Sequence, residues 1–254
     1  MTLSPKHLIA FLFCFVSLTA FAQKNPCSKK DANCKGTVTL SDGSSYTGEF
    51  HYGVPAGSGK ITFRNGDVFQ GDMRNGTMTN GSMKFANRNE YLGEFQNGKM
   101  HGQGAMILSN GDAYNGTWKN GEADGEGTYK KADGSSFTGN FNNGMRDGEG
   151  FIVWSSTQDT LFGNWSEDKL DGKSTFQFAN GDVLTSNWKH GSMKVNASYT
   201  TVQGKEINGS MNLIYMVATL EDSFANSVDD ILNCLLYTSP SPRDQRGSRM
   251  PSSA

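Results

Sequence analysis

The side chains able to do chemistry are few, and most of them recur. His51, His101 and His190 each fall in or beside a glycine-containing turn segment. An imidazole in such a place could act as a base or a ligand, but no partner residue travels with it, so the turn role comes first. Asp124, Asp147 and Asp171 stand at one recurring position, each directly before a glycine. The carboxylate pair of a retaining glycosidase would occur once in a chain. These repeat, which makes them structural. A calcium ladder would need about 6–8 oxygen ligands per ion, and the oxygens here are too sparse. Gly-x-Gly pairs such as Gly102 and Gly104 open no helix, so they do not form a dinucleotide fingerprint. Asn-Gly-Thr at Asn75 and Asn115 matches a glycosylation sequon but is accounted for by turn chemistry. No catalytic residue, metal site or cofactor is expected. Cys27 and Cys34 have no histidine near them in sequence. A disulfide closing a small loop is the first reading, and two free thiols remain open.

The elements that carry these residues are repeats. An aromatic-x-Gly unit starts at Tyr46, Phe69, Tyr91, Tyr114 and Phe137, with decayed copies at Leu161 and Leu184; the spacing stays between 22 and 24 residues. Each repeat holds two strand-like runs. Alternate residues of a strand share a face, so Tyr114, Gly116 and Trp118 point one way while Asn115 and Thr117 point the other. In the second run, Gly59, Ile61 and Phe63 share a face, opposed by Lys60 and Thr62. Asn-Gly or Asp-Gly closes the runs, as at Asn65, Asn110, Asp133 and Asn180 after the second run and Asn75, Asn97, Asn120 and Asn143 after the first. These dipeptides accept positive φ at low cost and signal hairpins.

Glycine weakens a strand interior unless something compensates. Gly48, Gly71, Gly93, Gly116, Gly139 and Gly163 each lie two residues after the large side chain that opens the unit. A bare glycine lets a neighbouring ring lie flat on the backbone, which restores part of the lost contact. These six are therefore the structural repeat glycines.

The pattern resembles the MORN repeat (membrane occupation and recognition nexus), roughly Y-x-G-x-[FW]-x-x-G-x-x-x-G-x-G. The stretch Tyr91 to Gly104 fits every stated position, and Tyr114 to Gly127 and Phe137 to Gly150 fit nearly as well. The resemblance extends over roughly Gly36 to Val195 and is to a bacterial secreted type. It implies an all-β fold, an elongated, twisted, single-layer antiparallel sheet of tandem β-hairpins. Asn80 and Gly81 replace the Gly-x-Gly, the turn at Gln158 to Thr160 lacks its glycine, and Ser186 replaces a repeat glycine. These departures predict a less regular end to the array.

The ends read differently. Lys6, the apolar run Leu8 to Phe21 and the small residues Ala20 and Ala22 form a secretory signal, residues 1–22. Residues 23–35 follow as an N-terminal segment with the cysteine pair, then the array over 36–195. In 196–233, the apolar run Leu213 to Leu220 precedes Phe224, Val228 and Ile231 at helical spacing. That is either the truncated strand-helix start of an α/β domain or a cap for the array. Residues 234–254 resemble a translated sequencing adapter and are excluded from the fold.

Charge narrows the partners. The chain has 23 Lys and Arg against 25 Asp and Glu, and discounting both ends widens the acidic excess. Such a chain has no electrostatic reason to seek nucleic acid and little to seek an anionic membrane. Tyr46, Tyr91, Tyr114, Trp118, Phe137 and Phe141 would line one sheet face. They either pack on the glycines in place of a core, or form a groove for a peptide, protein or glycan. The expected role is a non-catalytic secreted or periplasmic scaffold binding an unidentified protein through sheet face or edge, with end-to-end self-association open to it. The alternatives are the accessory part of a secreted, peptidase-like enzyme whose catalytic domain lies after residue 233, and lipid or glycan binding.

Overall fold

A computed structural model describes residues 27–210. The signal sequence, the strand-helix unit and the adapter-like tail expected from the sequence lie outside the described residues. The chain divides into two compact units, which meet in sequence between Met145 and Arg146.

The first unit holds β1 (Cys34–Thr39), β2 (Ser45–His51), β3 (Val54–Thr62), β4 (Val68–Arg74), β5 (Thr77–Lys84), β6 (Glu90–Gln96), β7 (Lys99–Ile107), β8 (Ala113–Lys119), β9 (Glu122–Lys130) and β10 (Ser136–Asn142). The second holds β11 (Met145–Val153), β12 (Thr160–Ser166), β13 (Lys169–Gln177), β14 (Val183–Lys189), β15 (Ser192–Thr200) and β16 (Glu206–Ser210). Within each unit every strand pairs antiparallel with the strands next to it in sequence. The fold is all-β, an open antiparallel sheet of tandem hairpins. Strand pairing extends past the expected limit at Val195. Ala197 and Tyr199 of β15 are buried and keep the period-two pattern without repeat glycines.

Turn chemistry fixes the register. Asn75 and Gly76 have φ of 50° and 76°, and Asn97, Asn120 and Asn143 repeat this geometry with their glycines. Two successive positive φ values suit the twist of a two-residue hairpin. Tyr52 with Gly53, Glu167 with Asp168 and His190 with Gly191 adopt the same geometry. The expected irregularity near Gln158 is absorbed locally, for Gln158 itself takes φ 64°.

The Gly-x-Gly motif is a bulge. In the β2–β3 pair, Gly48 faces Gly59 while Phe50 already faces Pro55, so β3 carries extra residues between. Gly57 in that bulge has φ 72°, a conformation side chains resist. The same shift recurs between β6 and β7, β8 and β9, β12 and β13, and β14 and β15. β5 departs from this, for its shift against β4, between Asp72 and Met73, takes up one extra residue rather than two. It is eight residues long rather than nine, and Gly81 there has φ 157°.

Candidate functional site

The repeat glycines meet in pairs across the strands. Gly48 faces Gly59, Gly71 faces Gly81, Gly93 faces Gly104, and Gly116 and Gly139 both face Gly127. A ring covers each pair. A Cβ on Gly59 would come within 2.3 Å of the Tyr46 ring, and one on Gly48 within 2.4 Å of its hydroxyl. The hydroxyl then donates to a backbone carbonyl at the bulge, three residues after the ring. Tyr46 Oη reaches Glu49 O at 2.7 Å, Tyr91 Oη reaches Glu94 O at 2.9 Å and Tyr114 Oη reaches Thr117 O at 3.1 Å. Burial and the Glu49 charge push the Tyr46 hydroxyl pKa up to about 12. Burial also raises Tyr91, Tyr114 and Tyr129.

The six rings offered by the sequence as a binding stripe therefore lie inside. Tyr46, Tyr91, Tyr114, Trp118, Phe137 and Phe141 are between 0% and 5% exposed. They form edge-to-face contacts within and between repeats. The run from Phe69 through Phe95, Tyr91, Trp118, Tyr114 and Phe141 to Phe137 is continuous, with ring centroids 5.1–5.3 Å apart. Each such pair contributes about 0.5–1.5 kcal/mol beyond its buried area. The ladder is a core one ring thick.

Where leucine replaces the ring, the residues beneath it change. Leu161 and Leu184 stand in the tyrosine position, and Gly163 faces Ser174, which in turn faces Ser186. Ser174 and Ser186 hydroxyls lie 3.0 Å apart, and Trp188 Nε1 donates to Ser174 at 2.7 Å.

A second ladder was missed by sequence reasoning. Ser44, Asp67, Asn89, Asp112, Ser135, Asp159 and Asp182 are all buried. Each lies two residues before the large side chain of its repeat, and that constant offset is the signal that could have found them. Five of these side chains accept the backbone N–H of the next repeat's turn at 2.8–3.0 Å, from Ala86, Ser109, Ala132, Ala179 and Val202; Ser44 accepts from Arg64 at 3.3 Å. The second carboxyl oxygen of Asp67, Asp112 and Asp182 takes the amide of the asparagine two residues earlier at 2.8–2.9 Å. Tyr129 and Tyr199 hydroxyls add to Asp112 and Asp182. Asp159 has neither. Thr157 stands where the asparagine would be, Phe176 where the tyrosine would be, and its Oδ2 is buried without a partner.

The histidines are not brought together. The His51 ring lies 4.5 Å from Tyr52, His101 Nδ1 accepts weakly from Asn120 N at 3.5 Å, and His190 Nδ1 is 3.1 Å from Asp171. Asp124 meets Lys119 at 3.9 Å, and Asp147 accepts from Glu167 N at 3.4 Å. The Lys189 ammonium beside Asp171 holds its carboxyl below the usual range. Among the described residues no group of three or more His, Cys, Asp or Glu is placed to hold a metal. No helix among them is long and apolar enough to cross a membrane.

Cys27 and Cys34 form a disulfide with Cα atoms 5.7 Å apart. Its loop stands in for a preceding repeat. Asp31 O accepts Tyr52 N at 3.0 Å, at the first two-residue turn.

Five segments match the MORN repeat family, residues 46–68, 91–113, 114–136, 137–157 and 162–183. The chain belongs to the MORN-repeat family. The match includes the later repeats, whose register the structure keeps despite their sequence departures. No curated protein matches the chain. Among solved structures, the MORN array is similar to the TCP domain of dCPAP of Drosophila melanogaster in complex with a proline-rich motif of dSTIL. That likeness has 14% identity, covers 69% of this chain and 89% of that one, and has a TM-score of 0.42. The TCP10 domain of Danio rerio CPAP in complex with a peptide of STIL gives 12% identity, 70% and 83% coverage, and a TM-score of 0.47. Neither likeness carries a functional argument for this chain.

The opposite sheet face is open. Leu92 is 62% exposed and Ile107 56%. Leu92 faces Ala105 across β6 and β7, and Ile107 faces Ala113 across β7 and β8, so the four share one patch. Glu90, Glu94, Ser82 and Asn115 border it along the same strands and their neighbours.

Proposed function

We propose that the MORN array is a non-catalytic scaffold that binds protein through the outer face of its sheet. The observation that carries this reading is the Leu92 and Ile107 patch. The ring ladder consumes the inner aromatic face, whereas these two large apolar side chains stay exposed on a pleated platform. An apolar centre with a polar rim is the anatomy of a protein interface. The bonded cysteines suit an oxidising compartment, which supports placing the scaffold in the periplasm, the cell envelope or outside the cell.

The test is quantitative affinity purification from the native source. Native chain, Leu92→Glu with Ile107→Glu, and Thr185→Glu with Ser198→Glu as an outer-face control are compared, each checked by circular dichroism. Partners held by native and control but lost from the first double variant support the reading. Partners held equally by all three remove the Leu92 face from it.

A further inference from the structure

We propose that Asn97 is a self-modification site, where the backbone amide of Gly98 attacks the asparagine side chain and releases ammonia. Four two-residue turns begin with asparagine, at Asn75, Asn97, Asn120 and Asn143, with nearly the same φ of 48–54°. Sequence alone makes them equivalent. The structure separates them by what the following glycine N–H does. Gly76 donates to Pro55 O, Gly121 to Met100 O and Gly144 to Ala123 O, each at 2.9 Å. Each bond reaches back to the second residue of the earlier long strand, so it ties one repeat to the last. Gly98 N–H meets no acceptor among the described residues.

The cause lies one repeat upstream. The strand that would present the carbonyl is β5, with Met78 as its second residue. β5 is one residue shorter than β3, β7 and β9, and its bulge against β4 holds one extra residue where theirs holds two. The carbonyl is therefore not delivered to the turn. Asn97 is exposed, and a Cβ on Gly98 would meet nothing within 4 Å, so the reacting groups have room to move.

The other Asn-Gly turns are held on both sides. Asn65, Asn110 and Asn180 have their side-chain oxygen and amide bonded to the aspartate two residues on. Their glycines donate to Phe63, Leu108 and Phe178. An amide nitrogen whose hydrogen is committed to a carbonyl is both oriented away and harder to deprotonate.

The step balances without any oxidant or cofactor. Gly98 N loses its proton to water and bonds to Asn97 Cγ, water returns a proton to Nδ2, and the Cγ–Nδ2 bond breaks with Nδ2 leaving as ammonia. Water then opens the cyclic imide at either carbonyl, which yields aspartate or isoaspartate at position 97. The isoaspartate product inserts a methylene into the backbone of a turn whose length sets the β6–β7 register.

The test incubates the folded, full chain in mildly alkaline buffer and follows each asparagine by peptide mass spectrometry. Isoaspartate is scored by enzymatic methylation. The loss of one turn hydrogen bond corresponds to about fivefold in rate, so Asn97 is expected to convert about fivefold faster than Asn75, Asn120 or Asn143. A parallel incubation in urea is expected to bring the four rates together. Equal rates in the folded chain overturn the proposal. So does a lead for Asn97 that persists in urea, because the neighbouring residue and not the fold would then set the rate.

Discussion

Replacing Phe176 by tyrosine should stabilise the second unit. Asp159 is the one buried aspartate of its ladder whose Oδ2 lacks a partner, and Phe176 lies 17 residues after it. Tyr129 and Tyr199 lie at that separation from Asp112 and Asp182, and both hydroxyls bond to the carboxyl. Phe176 is 7% exposed, with its ring 4.6 Å from Phe178 and 5.3 Å from Trp154. The added hydroxyl would thus be buried, and it would be partnered. A buried acceptor left alone costs about 1–3 kcal/mol. Allowing for imperfect fit, Phe176→Tyr should recover about 1–2 kcal/mol, or about 2–4 °C in midpoint per kcal/mol for a chain of this size.

A local readout is sharper than a global one, because repeat arrays unfold by neighbouring units. Ala179 N donates to Asp159 Oδ1 at 2.8 Å, so its hydrogen exchange should slow by about 5-fold to about 30-fold, at roughly 1.4 kcal/mol per decade. Thr157→Asn is the independent route to the same oxygen, following the arrangement at Asn110 and Asn180. If both variants leave Ala179 exchange and the midpoint unchanged, the orphaned oxygen is not a deficit and the reasoning fails.

Gly116→Val should destabilise the first unit by at least about 1–3 kcal/mol, since a Cβ there lies 2.5 Å from Gly127 Cα and 2.7 Å from Tyr114 Oη; limited proteolysis should cut near residue 116, and an unchanged digestion pattern would contradict the ring-on-glycine account. Reducing the Cys27–Cys34 bond, which closes a short loop, should cost about 2–3 kcal/mol and speed exchange at Tyr52 N, which bonds to Asp31 O; thermal melts with and without reductant measure it. Burial works against ionising Asp112, but Tyr129, Ala132, Asn110 and Lys131 outweigh it and hold its pKa below 3.8. A depressed folded value gives stability that is present above the unfolded pKa and lost as pH falls below it toward the folded value. Asp112→Asn should therefore flatten the acid limb of a stability-versus-pH curve below about pH 4, and an unaltered limb would show that another carboxylate governs it.

The hairpin register was legible because it rests on local rules. Asn75 with Gly76 and Asn120 with Gly121 fix a two-residue turn whatever surrounds them, and period-two alternation then assigns Tyr114 and Trp118 to one face. The fate of that face was not legible. Whether a ring is exposed depends on what the next repeat lays across it. Tyr91 is closed off by Trp118 and Tyr114 by Phe141, contacts between residues 27 positions apart. The polar ladder was hidden for the opposite reason. Asp67 and Asp182 follow Asn-Gly, where a solvated turn aspartate is the usual expectation, and only the recurrence of a small acceptor two residues before each large side chain marks them as buried.

The decayed repeats show which of these rules is the deeper one. If glycine were required by the strand itself, Ser174 and Ser186 would break the sheet, yet their strands keep the common register. What changed with them is the residue above, leucine at 161 and 184 in place of a ring. The hydroxyls occupy the space the ring gave up, and Trp188 Nε1 bonds there. In the fourth repeat Trp118 Nε1 instead reaches Gly104 O, at 2.9 Å. Ring and glycine are therefore coupled in two settings, a large cover that requires a bare backbone or a small cover that admits a serine. A serine placed at Gly59 under an intact Tyr46 has neither setting available, because its Cβ would lie 2.3 Å from the ring.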